Sequence, residues 1–245
     1  FPLSFNSAFS SVLIPAVSAA RASGNFEYAN KKIKFSMLIS LLIGVPSTVG
    51  MIVLAEPILH LLFPNQPDGA FLLQISSISI TFIMLSQNIN AVLHGIGKIV
   101  VPAISLVIGL VIKLILNNIL VGINPDIFVL GGTAGAATST VICHIITFGI
   151  ELSIMNKYVK VDLRLSHVLK ILLSTLMMGI TSGFILHCLK AFFAEKICMI
   201  LTIIAAIIIY ILLILIFKVF SVEEIKAIPC GEKIYIFLKK IKLYE

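Results

Sequence analysis

Seven apolar runs dominate this chain and limit what it can fold into. They are Phe1–Ala20, Phe35–Ala55, Gly69–Gly97, Ile99–Asn124 (interrupted once, by Lys113), Ile127–Ile150, Ile171–Leu189 and Ile197–Phe217. A helix needs about 20 apolar residues to cross the hydrocarbon core of a bilayer. The runs are continuously apolar rather than alternating, which favours helices over a β-barrel. The third run is longer than one span requires, so its ends are expected in loops. Only 12% of the 245 residues are charged, about half the share of a soluble domain. That excludes a soluble globular domain, a disordered chain and a disulfide scaffold. The fold class is an all-α polytopic membrane protein with about seven transmembrane helices.

The net charge is +7, and its placement orients the chain. With alternating spans, 15 of the 18 Lys and Arg residues fall in loops on one side. Lys190 and Lys196 lie on the other side, and Lys113 lies within a span. The positive-inside rule makes the basic side cytosolic, so Glu245 ends inside and Phe1 starts outside. Residue 1 is Phe and no basic segment precedes the first span. The sequence is therefore expected to begin inside a longer protein. The four cysteines show no metal-type spacing. Cys188 and Cys198 flank the loop between the last two spans, where either a disulfide or two free thiols would fit.

Polar side chains inside the runs are the candidates for function. Ser4, Ser7, Ser11 and Ser18 share one face of the first span. Such a stripe packs helices together or lines an aqueous cavity. Pro46, with Gly44 and Gly50, predicts a kink in the second span, and Pro64 to Asp68 reads as a turn. Gln87, Asn90 and His94 form a polar face at one end of the third span, and Gln74, Ser77, Thr81 and Asn88 form a second stripe. Ser105, Gly109, Lys113 and Asn117 follow one another at four-residue steps in the fourth span. Gly131/Gly135 and Gly132/Ala136 are small-xxx-small pairs that allow close helix packing.

Lys113 carries the most weight. A cation within a span costs about 2.5–3.5 kcal/mol on insertion scales. It lies eight residues from Val121, about 12 Å along a helix, which is too deep to snorkel without tilt. Two readings stay open. It faces a wet cavity and binds an anion, with Asn117 one turn away supplying hydrogen bonds. Alternatively it is structural, through snorkelling or a carboxylate partner. Glu151 is placed near the opposite face and so is a poor partner, whereas Glu56 is closer in depth. Enzyme readings fail for want of motifs: no histidine pair has ligand spacing, and there is no phosphate loop and no pair of carboxylates at working distance. No cofactor or metal is called for. His144, alone inside the fifth span, reads as a partner to a neighbouring helix.

After Phe217 the character changes. Ser221 and Glu224 make a capping box. Ile234, Phe237, Leu238, Ile241 and Tyr244 then form the apolar face of a basic amphipathic helix suited to an anionic leaflet.

Four segments resemble one family. Leu93-His94-Gly95-Ile96-Gly97-Lys98 with Pro102 is similar to the LQGxGK-type loop of the polysaccharide-biosynthesis flippases, with His94 where that family usually has Gln. Gly131 to Thr140 resembles their GAAxAT helix start, and Ile14-Pro15-Ala16-Val17-Ser18 their hydrophobic-P-x-x-S segment. Glu223-Glu224 through Lys233 resembles the C-terminus of stage V sporulation protein B-like members. The resemblance covers the whole chain and points to the multidrug/oligosaccharidyl-lipid/polysaccharide (MATE-like) superfamily. It implies the C-lobe of a two-lobe transporter plus two extra C-terminal helices, with the N-terminal lobe and the first C-lobe helix absent. The expected division is 1–154 for five C-lobe spans, 155–219 for the extra pair and 220–245 for a cytosolic tail.

The implied function is flipping or export of lipid-linked oligosaccharide or peptidoglycan-type precursors by alternating access, in a bacterial cell membrane. The implied partners are an anionic lipid-linked sugar, membrane lipids and the absent N-terminal lobe, with no nucleic acid. Lys113, Asn117, Asn88, Gln87, Asn90, Ser7 and Ser11 are the expected substrate-binding residues. Two other functions fit the same residues: a cation-coupled multidrug exporter of the superfamily, and a non-transporting membrane scaffold.

Overall fold

The computed structural model describes residues 2–63, 69–159, 164–192, 194–220 and 232. The turn at 64–68, the capping box at Ser221 and Glu224, Cys230 and the amphipathic segment from Ile234 onward lie outside the described residues. Eight helices are formed among the described residues: α1 (Pro2–Ala22), α2 (Phe26–Val53), α3 (Ala55–Leu62), α4 (Gly69–Gly95), α5 (Val100–Val121), α6 (Gly132–Tyr158), α7 (Leu165–Leu189) and α8 (Glu195–Ile216). All but α3 are long and apolar enough to cross a membrane. The protein is an all-α, multi-pass membrane protein.

The helices overrun the apolar runs at several ends. α2 starts at Phe26, nine residues before its run, because Asn25 caps it by accepting from the Tyr28 N–H at 3.1 Å. Glu27 and Lys31 add an exposed i,i+4 pair at 3.0 Å. Lys31, Lys32 and Lys34 therefore ride on a helix rather than in a loop. α4 takes in almost the whole third run, contrary to the expectation that its ends would unwind. Backbone groups in hydrocarbon must bond internally, so a long apolar run has no reason to unwind before a stop signal. That signal is Gly97. With φ +78° it takes the left-handed turn that ends α4, while Lys98 N–H reaches Leu93 O at 2.7 Å and Gly97 N–H reaches His94 O at 2.9 Å. This is a Schellman stop, and the Arg21 guanidinium donates to Ile96 O across from α1. Pro46 lies inside α2, which is assigned as one helix from Phe26 to Val53.

The chain divides into two compact units, Phe1–Asp162 and Leu163–Glu245. In the first, α4 is the central element: α1, α2 and α6 pack on it, and α5 packs chiefly on α6. The α5–α6 seam is tight because it is lined by small residues. A Cβ at Gly109 would sit 2.3 Å from Thr147 Oγ1, and one at Gly135 would sit 2.6 Å from Leu120 Cβ. Ser105 is fully buried beside them. The rest of α5 is largely exposed apolar surface, including Ile104, Val107, Leu114 and Ile115, as expected for a helix solvated by lipid.

The second unit is the α7–α8 pair. Ile171, Ser174, Thr175, Met178, Gly179, Ser182 and Leu186 of α7 and Cys198, Thr202, Tyr210 and Ile214 of α8 are its buried residues. Small hydroxyl residues thus sit inside the pair, where they let helices approach. Lys170 Nζ donates to Lys218 O at 3.1 Å and ties its two ends together. Cys188 and Cys198 are not joined by a disulfide.

Candidate functional site

α4 carries polar side chains on two faces, and the structure puts them to different uses. The first face meets α1 and α2. Asn88 is fully buried there. Its Oδ1 accepts from Ser10 Oγ at 2.5 Å and Ser36 Oγ at 3.0 Å, and its Nδ2 donates to Ser36 O at 3.1 Å and to Ser40 Oγ. Asn6, 2% exposed, completes the knot. It donates to Met84 O at 2.8 Å and Gln87 Oε1 at 2.7 Å, and accepts from Ser40 Oγ at 2.5 Å. Further along the same seam Thr48 bonds Ser77 O and Thr81 Oγ1, and Gln74 bonds Ile52 O. The stripe read from sequence as Gln74, Ser77, Thr81 and Asn88 is therefore the face that seats α4 against α2.

The second face of α4 presents Ser86, Gln87, Asn90 and His94 to α5 and α6. They line a cavity of about 390 Å³ together with Pro102 and Leu106 of α5 and His144, Thr147 and Glu151 of α6. Phe82 and Phe148 pack beside it, with ring centroids 5.8 Å apart. Glu151 is 1% exposed. It lies seven residues inside the C-terminal end of α6, turned toward α4. Its Oε2 and Asn90 Oδ1 are buried acceptors with no hydrogen-bond partner.

Lys113 and Asn117 belong to the α5–α6 seam. Lys113 is half-buried and stands near enough to His144 to act on it electrostatically. It makes no salt bridge among the described residues. Ser139 Oγ approaches Asn117 Oδ1 at 3.5 Å. Ser7 and Ser11 are exposed, and each donates back to its own helix, to Ser4 O and Ala8 O at 2.8 Å. They lie on a face of α1 about a quarter turn round from Asn6 and Ser10.

The seven residues expected at one site are thus spread over four places. Asn88 is in the knot and Gln87 bridges the knot and the cavity. Asn90 is in the cavity, Lys113 and Asn117 are in the α5–α6 seam, and Ser7 and Ser11 are on an outer face. Sequence reasoning missed Asn6, Ser36 and Ser40 altogether and undervalued Glu151. A signal existed in the pairs Asn6/Ser10 and Ser36/Ser40, each spaced by four, but nothing in one helix tells which of two polar stripes faces inward.

A second cavity, of about 460 Å³, lies where α1, the α4–α5 turn and the end of α6 meet, with Arg21, Asn30, Lys98 and Tyr158 in its wall. Its cations are engaged: Arg21 on Ile96 O and Lys98 over the Tyr158 ring, 5.0 Å from the centroid.

Comparison with known proteins follows the same lines. The family profile described as "Lipid II flippase MurJ" matches residues 1–228. The chain is similar to the lipid II flippase MurJ of Bacillus subtilis (strain 168), 36% identical over 121 residues, which is 47% of this chain and 22% of that protein. It is similar to the membrane protein YabM of the same organism, 35% identical over 109 residues, covering 44% of this chain and 20% of YabM. Similarity to the sporulation protein YkvU, also of that organism, is 31% over 86 residues, covering 35% of this chain and 19% of YkvU. Among solved structures, the inward closed conformation of lipid II flippase MurJ superposes with a TM-score of 0.67 at 22% identity, over 88% of this chain and 44% of that one. That likeness shows the fold. The chain spans less than half the length of each of these relatives.

Proposed function

The chain belongs to the lipid II flippase MurJ family, and from that premise we propose that it forms the C-terminal part of a flippase for lipid-linked cell-wall precursors. In this reading the first unit supplies one wall of a central cavity, a second lobe supplies the other, and the two rock to expose the substrate on alternate sides. The protein transports and does no bond chemistry. Residues 1–154 act as C-lobe helices, 155–219 as an added pair and 220–245 as a tail on the cytosolic side, where the excess of Lys and Arg belongs. Placement in the stage V sporulation protein B-like branch draws support from the 223–233 motifs and from the similarity to a sporulation protein.

The observation that carries the reading is Lys113. It is a half-buried cation on a membrane helix without a carboxylate partner among the described residues, followed one turn later by Asn117. An intramembrane cation is costly, and a lipid pyrophosphate is the ligand class that offsets this cost while using the charge. Gln87 and Asn90 extend the polar surface on α4, and Ser7 and Ser11 lie on a face of α1 open to a second lobe. The test is Lys113→Ala in the full-length protein, with membrane insertion and precursor flipping measured together. Normal insertion with flipping lost is the expected result. Normal flipping by this variant removes Lys113 from the substrate path. A drug-efflux response with unchanged cell-wall precursors would instead point to a multidrug exporter.

A further inference from the structure

The α4–α6 cavity holds a second chemistry that substrate binding does not use. α4 presents Gln87, Asn90 and His94 at steps of three and four residues, and α6 presents His144, Thr147 and Glu151 at the same steps. The two helices run in the same sense because α5 returns between them, so the stripes face one another. Glu151 lies about 10 Å from the end of α6 by helical rise and is 1% exposed. Its polar neighbours are Ser86 and Asn90, both uncharged. The titratable groups on the elements packed against it are His94 on α4, Lys113 on α5 and His144 on its own helix. Of these, Lys113 acts on His144. No cation among the described residues pairs with the carboxyl group.

The Glu151 carboxyl group is hydrogen-bonded by Ser86 and Asn90, but its Oε2 and the Asn90 Oδ1 are buried without a hydrogen-bond partner. A buried carboxylate in that state is unstable unless it gains a positive partner. Among the described residues no three His, Cys, Asp or Glu side chains gather to hold a metal ion. One buried carboxyl group in a cavity that two imidazoles also line is instead the composition of a proton-binding site. We propose that Glu151 is an intramembrane proton-binding site, reached through the α4–α5–α6 cavity that His94 and His144 line. In the loading step a hydronium ion in the cavity loses an O–H bond and becomes water, and an O–H bond forms at Glu151 Oε2.

The site goes beyond the transport reading and does not depend on it, because it is read on the chain itself, whether or not lipid is flipped. The test is infrared difference spectroscopy of the full chain in lipid bilayers, titrated from acid to alkaline pH in ordinary and heavy water. The expected result is a protonated-carboxyl stretch that shifts in heavy water and disappears on alkalinisation. It should be absent from Glu151→Gln, an isosteric change that mimics the protonated side chain. Should that variant fail to insert, His144→Gln serves instead: it keeps the carboxyl group and should displace the midpoint at which the band is lost. A band that survives in Glu151→Gln overturns the proposal, as does a midpoint indifferent to His144→Gln. Loss of the band on adding sodium, potassium or lithium chloride at fixed acid pH also overturns it, assigning the site to an alkali cation.

Discussion

The two seams on either side of α4 have similar polar content and opposite states. Toward α1 and α2, Asn6, Ser10, Ser36, Ser40 and Asn88 satisfy one another in a closed knot. Toward α5 and α6, Asn90 and Glu151 line a cavity and each keeps an acceptor without a partner. Inside a membrane, a polar group with a protein partner is helix–helix glue. A polar group without one is by default a functional-site hypothesis.

Substitutions that break this contrast differ in size. Asn88→Ala strips four hydrogen bonds from the knot at once. With intramembrane bonds worth about 0.6 kcal/mol on average, it should lower unfolding free energy in detergent or bicelles by about 2–3 kcal/mol. A loss below about 0.5 kcal/mol, the scatter of inert surface changes, would mean the knot is decorative. Gly109→Ala drives a methyl group into Thr147 Oγ1 across the α5–α6 seam. Overpacking of this kind costs about 1–3 kcal/mol, and cross-linking between engineered cysteines on α5 and α6 should weaken in parallel. Asn90→Ala removes an amide whose oxygen has no partner. It also removes one hydrogen bond to Glu151, so stability should fall by only about 0.6 kcal/mol, while flipping by the full-length protein falls. A large stability loss here would erase the distinction between the seams. Ser11→Ala is the smallest case. The hydroxyl bonds only its own helix, so stability should not move measurably, and any loss of flipping would place the outer face of α1 in the substrate path.

Much of the architecture was legible because hydrocarbon leaves the backbone one choice. Each apolar run became one helix, since a chain without water must bond to itself over the shortest available distance. Boundaries were less legible. Lys31, Lys32 and Lys34 look like a basic loop, yet an Asn25 cap and a good helical register carry α2 through them. The small-xxx-small pairs Gly131/Gly135 and Gly132/Ala136 announced close packing, and a Cβ at Gly135 would collide with Leu120 of the neighbouring helix; Gly109, which stood out only as part of a polar stripe, is packed as closely against Thr147.

The candidate site was legible only as a set of residue types. Polar residues inside spans stand out because each is costly, and Lys113, Gln87, Asn88 and Asn90 were found that way. Whether such a residue is consumed by packing or left for a ligand depends on the facing helix, and one-helix periodicity contains no term for that. Asn88 and Asn90 are two positions apart on α4, yet one is knotted and the other is open. Counting residues to the end of its run places Glu151 along α6 but does not tell that the bundle buries it against α4. Composition and periodicity therefore determined the solvent and the number of spans, and four short motifs carried the family resemblance. Tertiary packing alone decided which polar groups were spent on holding helices together, because that choice depends on which side chains meet across a seam a few ångströms wide.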